Sequence, residues 1–282
     1  MIIVTGANGP FGRLVAEHLA RLVPAGDIAV SVRDAGKAEP PAGVQVRTAD
    51  FGAPESLPKA FEGAGTVFVN ATYYGTPPEV RAGHMRSALD AAVAAGARRI
   101  VVTSWADAGR STIPSTLDFA RTERLVEELP VDWTIVRVGY GLAAALARDV
   151  IAGRRDGVLT APAGNAALAV GATADQAEAV ARILTTKHDK MRYDLTGPDT
   201  VGWDELAAMA GVEYRPEPEA AYRARCLRAG FPERAADQLL DLYAAIRSGW
   251  AGTPTGDLER LLGRHPVLAR AAVREAVDGW AW

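Results

Sequence analysis

The chain has 282 residues, 49% of them hydrophobic and 23% charged, with a formal net charge of −3. That length and balance specify a globular protein able to bury a sizeable core, and they exclude a disordered chain. The slight acidity offers no basic field for nucleic acid or an anionic membrane, and no segment approaches the roughly 20 apolar residues of a membrane span.

The single Cys226 cannot form an internal disulfide. With a first strand starting at Ile2 and no leader pattern before it, a reducing, cytoplasmic setting is expected.

The chain opens on an apolar run, Met1 to Val4, followed by Thr5-Gly6-Ala7-Asn8-Gly9-Pro10-Phe11-Gly12. Leu14, Val15, His18, Leu19 and Leu22 then recur at helical spacing, so the pattern reads strand, tight turn, helix over residues 11–23. Glycines at such a turn permit positive φ and bring backbone N–H groups to an anion at the positive end of the helix. The spacing is G-x-x-G-x-x-G, and a second apolar run at Ile28–Val32 arrives at the distance expected of a βαβ unit. A dinucleotide is the expected ligand.

Further strands are expected at residues 44–48, 66–70, 99–103 and 133–136. Between them fall a short helix opened by Pro54, a helix carrying Met85, Leu89, Ala92 and Val93 and stopped by Gly96, and a helix over 117–129. Strands alternating with helices specify an α/β fold with a doubly wound, Rossmann-type parallel sheet. Past Gly139 the rhythm breaks into a helix at 142–152, a Gly/Pro-rich turn at 157–164 and a helix at 175–186. A strand at 192–195 is expected to rejoin the sheet, and helices follow at 232–246 and 266–277. The expected division is a nucleotide-binding domain at 1–138, with 173–196 returning to it, and a mostly helical substrate-binding lid at 139–172 and 197–282.

The second strand ends Ser31-Val32-Arg33-Asp34, so Arg33 stands where an acid would select NAD, and Lys37 follows. An Arg there favours the 2′-phosphate of NADPH, provided that Asp34 points away. By the same geometry Asp50 and Phe51 meet the adenine, and Asn70, Ala71, Thr72, Thr103 and Ser104 lie near the nicotinamide and its ribose. For Asn70 and Thr103, a side chain capping its own strand end is an equal reading. Gly6, Asn8, Gly9, Pro10, Phe11 and Gly12 complete the expected cofactor set.

Thr-Gly-Ala-x-Gly-x-x-Gly, Val32-Arg33-Asp34 with Lys37-Ala38, Ala49-Asp50-Phe51, Ala95-Gly96-Ala97, Thr103-Ser104, Thr122-Glu123, Thr134-Ile135-Val136-Arg137 and the closing Leu261-Leu262-Gly263-Arg264-His265-Pro266 together resemble a known family. The chain is similar over nearly its whole length to atypical short-chain dehydrogenases of the NmrA-like group, nearest the type 2 NAD(P)H:quinone oxidoreductases and triphenylmethane reductases. The resemblance implies an NADPH-dependent reductase whose carboxyl-terminal part forms the substrate pocket. One departure from the wider superfamily stands out: its Tyr, followed four residues later by Lys, is replaced in the helix after the fifth strand by Leu117 and Arg121. Arg121 can still hold a ribose hydroxyl or a phosphate.

Reducing a simple ketone makes a basic alkoxide, for which a positioned acid contributes roughly 10²–10⁴-fold. A quinone gives a stabilised phenolate, so the acid matters little, and the same holds for a polycyclic ketone beside a phenol. The expected activity is therefore hydride transfer to a quinone or quinone-like aromatic ketone. Ser104 is the expected donor to the developing oxyanion; Tyr73, Tyr74 and Tyr140 can donate protons or stack, and Trp105 can stack. The four histidines do not cluster at ligand spacing and are read as structural, with no metal. The alternative is a non-catalytic NADP(H) redox sensor acting through a protein partner. Expected partners are a small aromatic substrate and, as an allowed assembly, a homodimer, with no nucleic acid or membrane.

Overall fold

A computed structural model describes residues 1–72, 76–139 and 141–279. The first half alternates as the pattern predicts: β1 (Ile2–Thr5), α1 (Pro10–Leu19), β2 (Ile28–Val32), β3 (Gln45–Thr48), α2 (Leu57–Phe61), β4 (Thr66–Val69), α3 (Pro78–Ala94), β5 (Arg99–Trp105), α4 (Leu117–Glu127) and β6 (Asp132–Val138). Then come α5 (Leu142–Asp156), β7 (Leu159–Ala161), β8 (Ala167–Leu168), α6 (Thr173–Thr185) and β9 (Met191–Asp194). The chain closes with β10 (Val201–Gly202), α7 (Trp203–Ala210), β11 (Tyr214–Pro216), α8 (Glu219–Arg228), α9 (Glu233–Arg247), α10 (Asp257–Leu262) and α11 (Ala269–Asp278).

Seven strands form one sheet in the order β3-β2-β1-β4-β5-β6-β9, and each adjacent pair is parallel. The order reverses direction at β1 and β4, which opens a crevice at their carboxyl ends. The strand at the end of α6 does rejoin the sheet, beside β6.

The strands are apolar on both faces because both are covered. Val4, Phe68, Val101 and Val136 pack towards α1, α6 and α10; Ile3, Val67, Val69, Ile100, Val102 and Ile135 pack towards α2, α3 and α4. A third core gathers α5, α7, α8, α9 and α11 around Leu146, Val150, Trp203 and Tyr243. Within it the Asp149 carboxylate accepts from Trp203 Nε1 (3.0 Å) and from the Tyr243 hydroxyl (2.8 Å), tying α5 to α7 and α9.

Several boundaries differ from the sequence reading. α1 ends at Leu19, and the residues before the expected stop at Pro24 continue as tighter turns, Arg21 N donating to the His18 carbonyl and Leu22 N to the Leu19 carbonyl. The expected turn at 157–164 contains β7, which gains a partner in β11, a pairing 55 residues away in register Tyr214↔Leu159 that no local pattern reveals. Most consequentially, β5 and β6 run on to Trp105 and Val138 because each pairs with the other along its full length. Among the described residues no helix is long and apolar enough to cross a membrane.

Candidate cofactor and substrate site

Each glycine of the first turn has its own physical reason. Gly6 follows β1 at φ +69°, a conformation that side chains rarely adopt. Gly9 is the N-cap of α1, and its N–H donates back to the Gly6 carbonyl at 3.0 Å. A Cβ on Gly12 would stand 2.5 Å from the Gly6 oxygen, so α1 can approach the turn this closely only without a side chain there. Pro10 is preorganised for the first helical position, and the N–H groups of Phe11 and Gly12 precede the first intrahelical acceptors. No acidic side chain occupies this turn. A cradle of this shape, with donors at the positive end of a helix, fits a pyrophosphate. The Phe11 ring is buried in the core, 6.5 Å from Phe68.

At the end of β2 the two charges part. Asp34 Oδ1 accepts from Gly36 N at 3.0 Å and Oδ2 pairs with Lys37 at 3.4 Å, while Asn8 Nδ2 donates to the Asp34 carbonyl at 2.8 Å. Arg33 is exposed and makes no ion pair among the described residues. Asp34 is thus turned onto its own loop, and Arg33 is available to an anion.

The strand ends are linked to one another. Asn70 N donates to Thr5 Oγ1 (2.9 Å), Ala71 N donates to Thr103 Oγ1 (2.7 Å), and Thr103 donates to Asn70 Oδ1 (3.2 Å). Asn70 Nδ2 would lie 3.2 Å from a Cβ on Gly6, so β1, β4 and β5 meet at one point of the crevice. Asp50 Oδ1 accepts from Gly52 N at 2.9 Å, and Phe51 packs partly into the core beneath α2 and α3. Thr72 Oγ1 lies 3.3 Å from His84 Nδ1, and a Cβ on Gly52 would be 3.1 Å from His84 Nε2. His84, read from the sequence as merely structural, therefore joins the loops after β3 and β4. The half-apolar helix around it gave no signal of that.

Ser104 has a buried partner. Because β5 extends to Trp105, Ser104 falls inside the strand, on the face covered by α4, and alternation puts Thr103 on the other face. Its buried hydroxyl donates to Glu123 Oε1 at 2.6 Å. Arg137, its partner in register on β6, grips both oxygens of the same carboxylate at 2.8 and 2.7 Å and pairs with Asp194 at 3.4 Å. The hydrogen bond to Glu123 holds the Arg137 guanidinium above its ordinary pKa, against its burial. Ser104 is thus a hydrogen-bond partner of Glu123. Tyr73 and Tyr140, the other expected catalytic residues, lie outside the described residues, as does Tyr74.

Arg121 is exposed on α4 with no ion-pair partner among the described residues, and Leu117, one turn earlier, is 42% exposed. Between α3 and α4 lies a buried pair: Arg81 Nε donates to Asp118 Oδ2 at 2.7 Å and its Nη1 to the Thr76 carbonyl at 3.1 Å. The same guanidinium lies 4.7 Å from the Phe119 ring centroid.

A family described as NAD(P)H-binding matches residues 6–187. The chain is 31% identical to quinone oxidoreductase 2 of Escherichia coli strain K12 over 281 residues, 96% of each chain. Triphenylmethane reductase from Citrobacter sp. superimposes with a TM-score of 0.90 at 28% identity, covering 98% of this chain and 99% of that one. The NADPH-dependent quinone oxidoreductase of Escherichia coli in complex with NADPH superimposes with a TM-score of 0.88 at 27% identity, covering 98% and 99%. With the glycine cradle, the linked strand ends and these matches in agreement, the chain belongs to the NAD(P)H-binding family, in its atypical short-chain dehydrogenase, NmrA-like group.

Proposed function

We propose that the chain is an NADPH-dependent reductase of quinones or quinone-like aromatic ketones. Quinone, NADPH and one proton give hydroquinone and NADP⁺. When bound, the cofactor supplies the hydride. Gly6, Gly9 and Gly12 hold its pyrophosphate against α1, Arg33 takes the 2′-phosphate, and Asn70, Ala71, Thr72 and Thr103 border its nicotinamide half. Asp50 faces the adenine, and Arg121 reaches a ribose hydroxyl or phosphate. In this reading residues 1–138 with 173–196 hold the cofactor, and 139–172 with 197–282 cover the acceptor.

The observation that carries the reading is the state of Ser104. Its proton is engaged by Glu123 at 2.6 Å, and Leu117 and Arg121 stand where a Tyr/Lys pair would be. A site so poor in acid among its described residues suits an acceptor whose reduced form is a stabilised phenolate, with catalysis coming from positioning. The relatives named as quinone, dye and azo reductases support the same class.

The missing Tyr/Lys pair also motivates the second reading, an NADP(H) sensor acting through a protein partner. Anaerobic NADPH consumption with naphthoquinones, anthraquinones and polycyclic phenolic ketones separates the two. Acceleration by at least one of these is expected; tight NADP⁺ binding with no acceleration by any would replace the reductase by the sensor.

A further inference from the structure

Three non-glycine residues among those described take positive φ: Asp107 at +51°, Lys190 at +51° and Ala251 at +56°. Two of the three are bonded to each other, Ala251 N donating to Asp107 Oδ2 at 3.2 Å. Asp visits the left-handed region more readily than most residues, but Ala has no polar side chain to bond its own loop and bears the full crowding of its Cβ. Backbone strain of this kind persists only where neighbouring structure imposes it, and it concentrates at clamps and switches.

Asp107 heads a short turn, Asp107–Arg110, that leaves the carboxyl end of β5 just past Thr103. Arg110 N and Ser111 N donate to the Asp107 carbonyl at 2.8 and 2.9 Å, and Arg110 Nη2 grips the Asp107 carboxylate at 3.0 Å. The turn is pinned on either side, where the Ala106 carbonyl accepts from Trp250 Nε1 at 2.8 Å and Ser111 Oγ lies 2.7 Å from Thr116 Oγ1. Among the described residues, the contact with Ala251 is the one hydrogen bond that ties Asp107–Arg110 itself to a distant part of the chain. Arg137 lies against the turn, with Nη2 3.5 Å from where a Cβ on Gly109 would stand.

We infer that Asp107–Arg110 is a spring-loaded flap at the carboxyl edge of the sheet, latched by Asp107 on Ala251, and that its opening admits the acceptor. Ligands of open α/β sheets bind outside the carboxyl ends of the strands, and β5 pairs directly with β4 at the switch point. The identity of the acceptor rests on the reductase reading above. Closing the flap forms one bond to Ala251 and holds two residues in the left-handed region; opening loses the bond and releases the strain. The two states are therefore close in free energy, as a gate requires.

The test follows amide hydrogen exchange by NMR in the full chain saturated with NADP⁺, so that nothing turns over. The amides of Arg110 and Ser111 should exchange through a local opening, faster than those of Phe68 and Val101 in the sheet. Ala251→Gly keeps the N–H that reaches Asp107 and removes the strain, so it should slow the two turn amides about fivefold. Asp107→Ala removes the acceptor and should speed them about tenfold. Asp107→Asn keeps an acceptor oxygen and tolerates left-handed backbone, so it should stay within about twofold of the parent. Phe68 and Val101 should be unchanged in all three. The association rate of 2-methyl-1,4-naphthoquinone, measured by stopped flow on the same NADP⁺ form, should fall and rise by the same factors.

Turn amides that exchange only together with Phe68 would overturn the flap. So would equal slowing throughout α9 and α11 in Ala251→Gly, which would assign the strain to the turn after α9. A quinone association rate unmoved by variants that change the exchange would overturn the gate. The exchange readout needs no substrate. A chain that meets it yet oxidises NADPH with no quinone keeps the flap and loses the reductase; one that turns over quinones while Arg110 and Ser111 ignore both Ala251→Gly and Asp107→Ala does the reverse.

Discussion

The Ser104 hydroxyl and Glu123 Oε1 stand 2.6 Å apart, so the residue at the end of β5 that invites a catalytic role serves a buried carboxylate already gripped by Arg137. Ser104→Ala should therefore leave kcat for quinone reduction within about threefold of the parent. It should lower stability by about 1 kcal/mol, the net value of a typical hydrogen bond. Steady-state kinetics beside thermal unfolding check this; a hundredfold fall in kcat at unchanged Tm would restore Ser104 as the donor.

Gly12→Ala tests the cradle. The added methyl would lie 2.5 Å from the Gly6 oxygen, a backbone atom that cannot rotate away. Relief requires α1 to shift, at about 1–3 kcal/mol. NADPH titrated by fluorescence should bind at least tenfold more weakly, with a lower Tm. Unchanged affinity would mean that the turn does not set the pyrophosphate site.

Arg33→Glu tests cofactor choice. Arg33 is exposed and Asp34 is engaged by Gly36 and Lys37. Loss of a hydrogen-bonded ion pair of about 1.5–3 kcal/mol should cut the NADPH over NADH preference by roughly 10- to 100-fold. An unchanged ratio of kcat/KM for the two cofactors would remove Arg33 from the account.

The Arg81 and Asp118 pair should behave as buried ions do. Asp118→Ala leaves the Arg81 charge in the interior and should cost about 3–5 kcal/mol. The double variant Arg81→Leu with Asp118→Leu should lose clearly less than the sum of the single changes in denaturant unfolding, because neither charge is then buried without its opposite. Additive losses would show that the pair carries no coupling.

Asp149 sets a pH dependence. Burial pushes its carboxyl above the ordinary range, more than its hydrogen bonds from Tyr243 and Trp203 pull it down. Because the folded pKa exceeds the unfolded one, this contribution to stability is fully present below the unfolded value, near 3.9, and is lost as pH rises through the folded value. Asp149→Asn cannot titrate. The stability of the parent relative to Asp149→Asn should thus fall as pH rises from about 4. A flat difference between pH 4 and 8 would count against a buried, titrating Asp149.

Much of the nucleotide half was legible because local rules govern it. The glycine spacing and the alternation of strands and helices follow from backbone freedom and burial on two faces. What stayed hidden depended on partners distant in sequence. β7 exists because β11 pairs with it, and His84 meets Thr72 and Gly52 through the packing of α3 between two loops.

By itself, the sequence determined the α/β architecture, the dinucleotide cradle and the absence of any Tyr followed four residues later by Lys. Only the tertiary structure decided the direction of the side chains at the crevice. Pairing with β6 carries β5 two residues beyond its apolar run, and since each step along a strand reverses the face, Ser104 turns under α4 to Glu123 while Thr103 turns to Asn70 and Ala71.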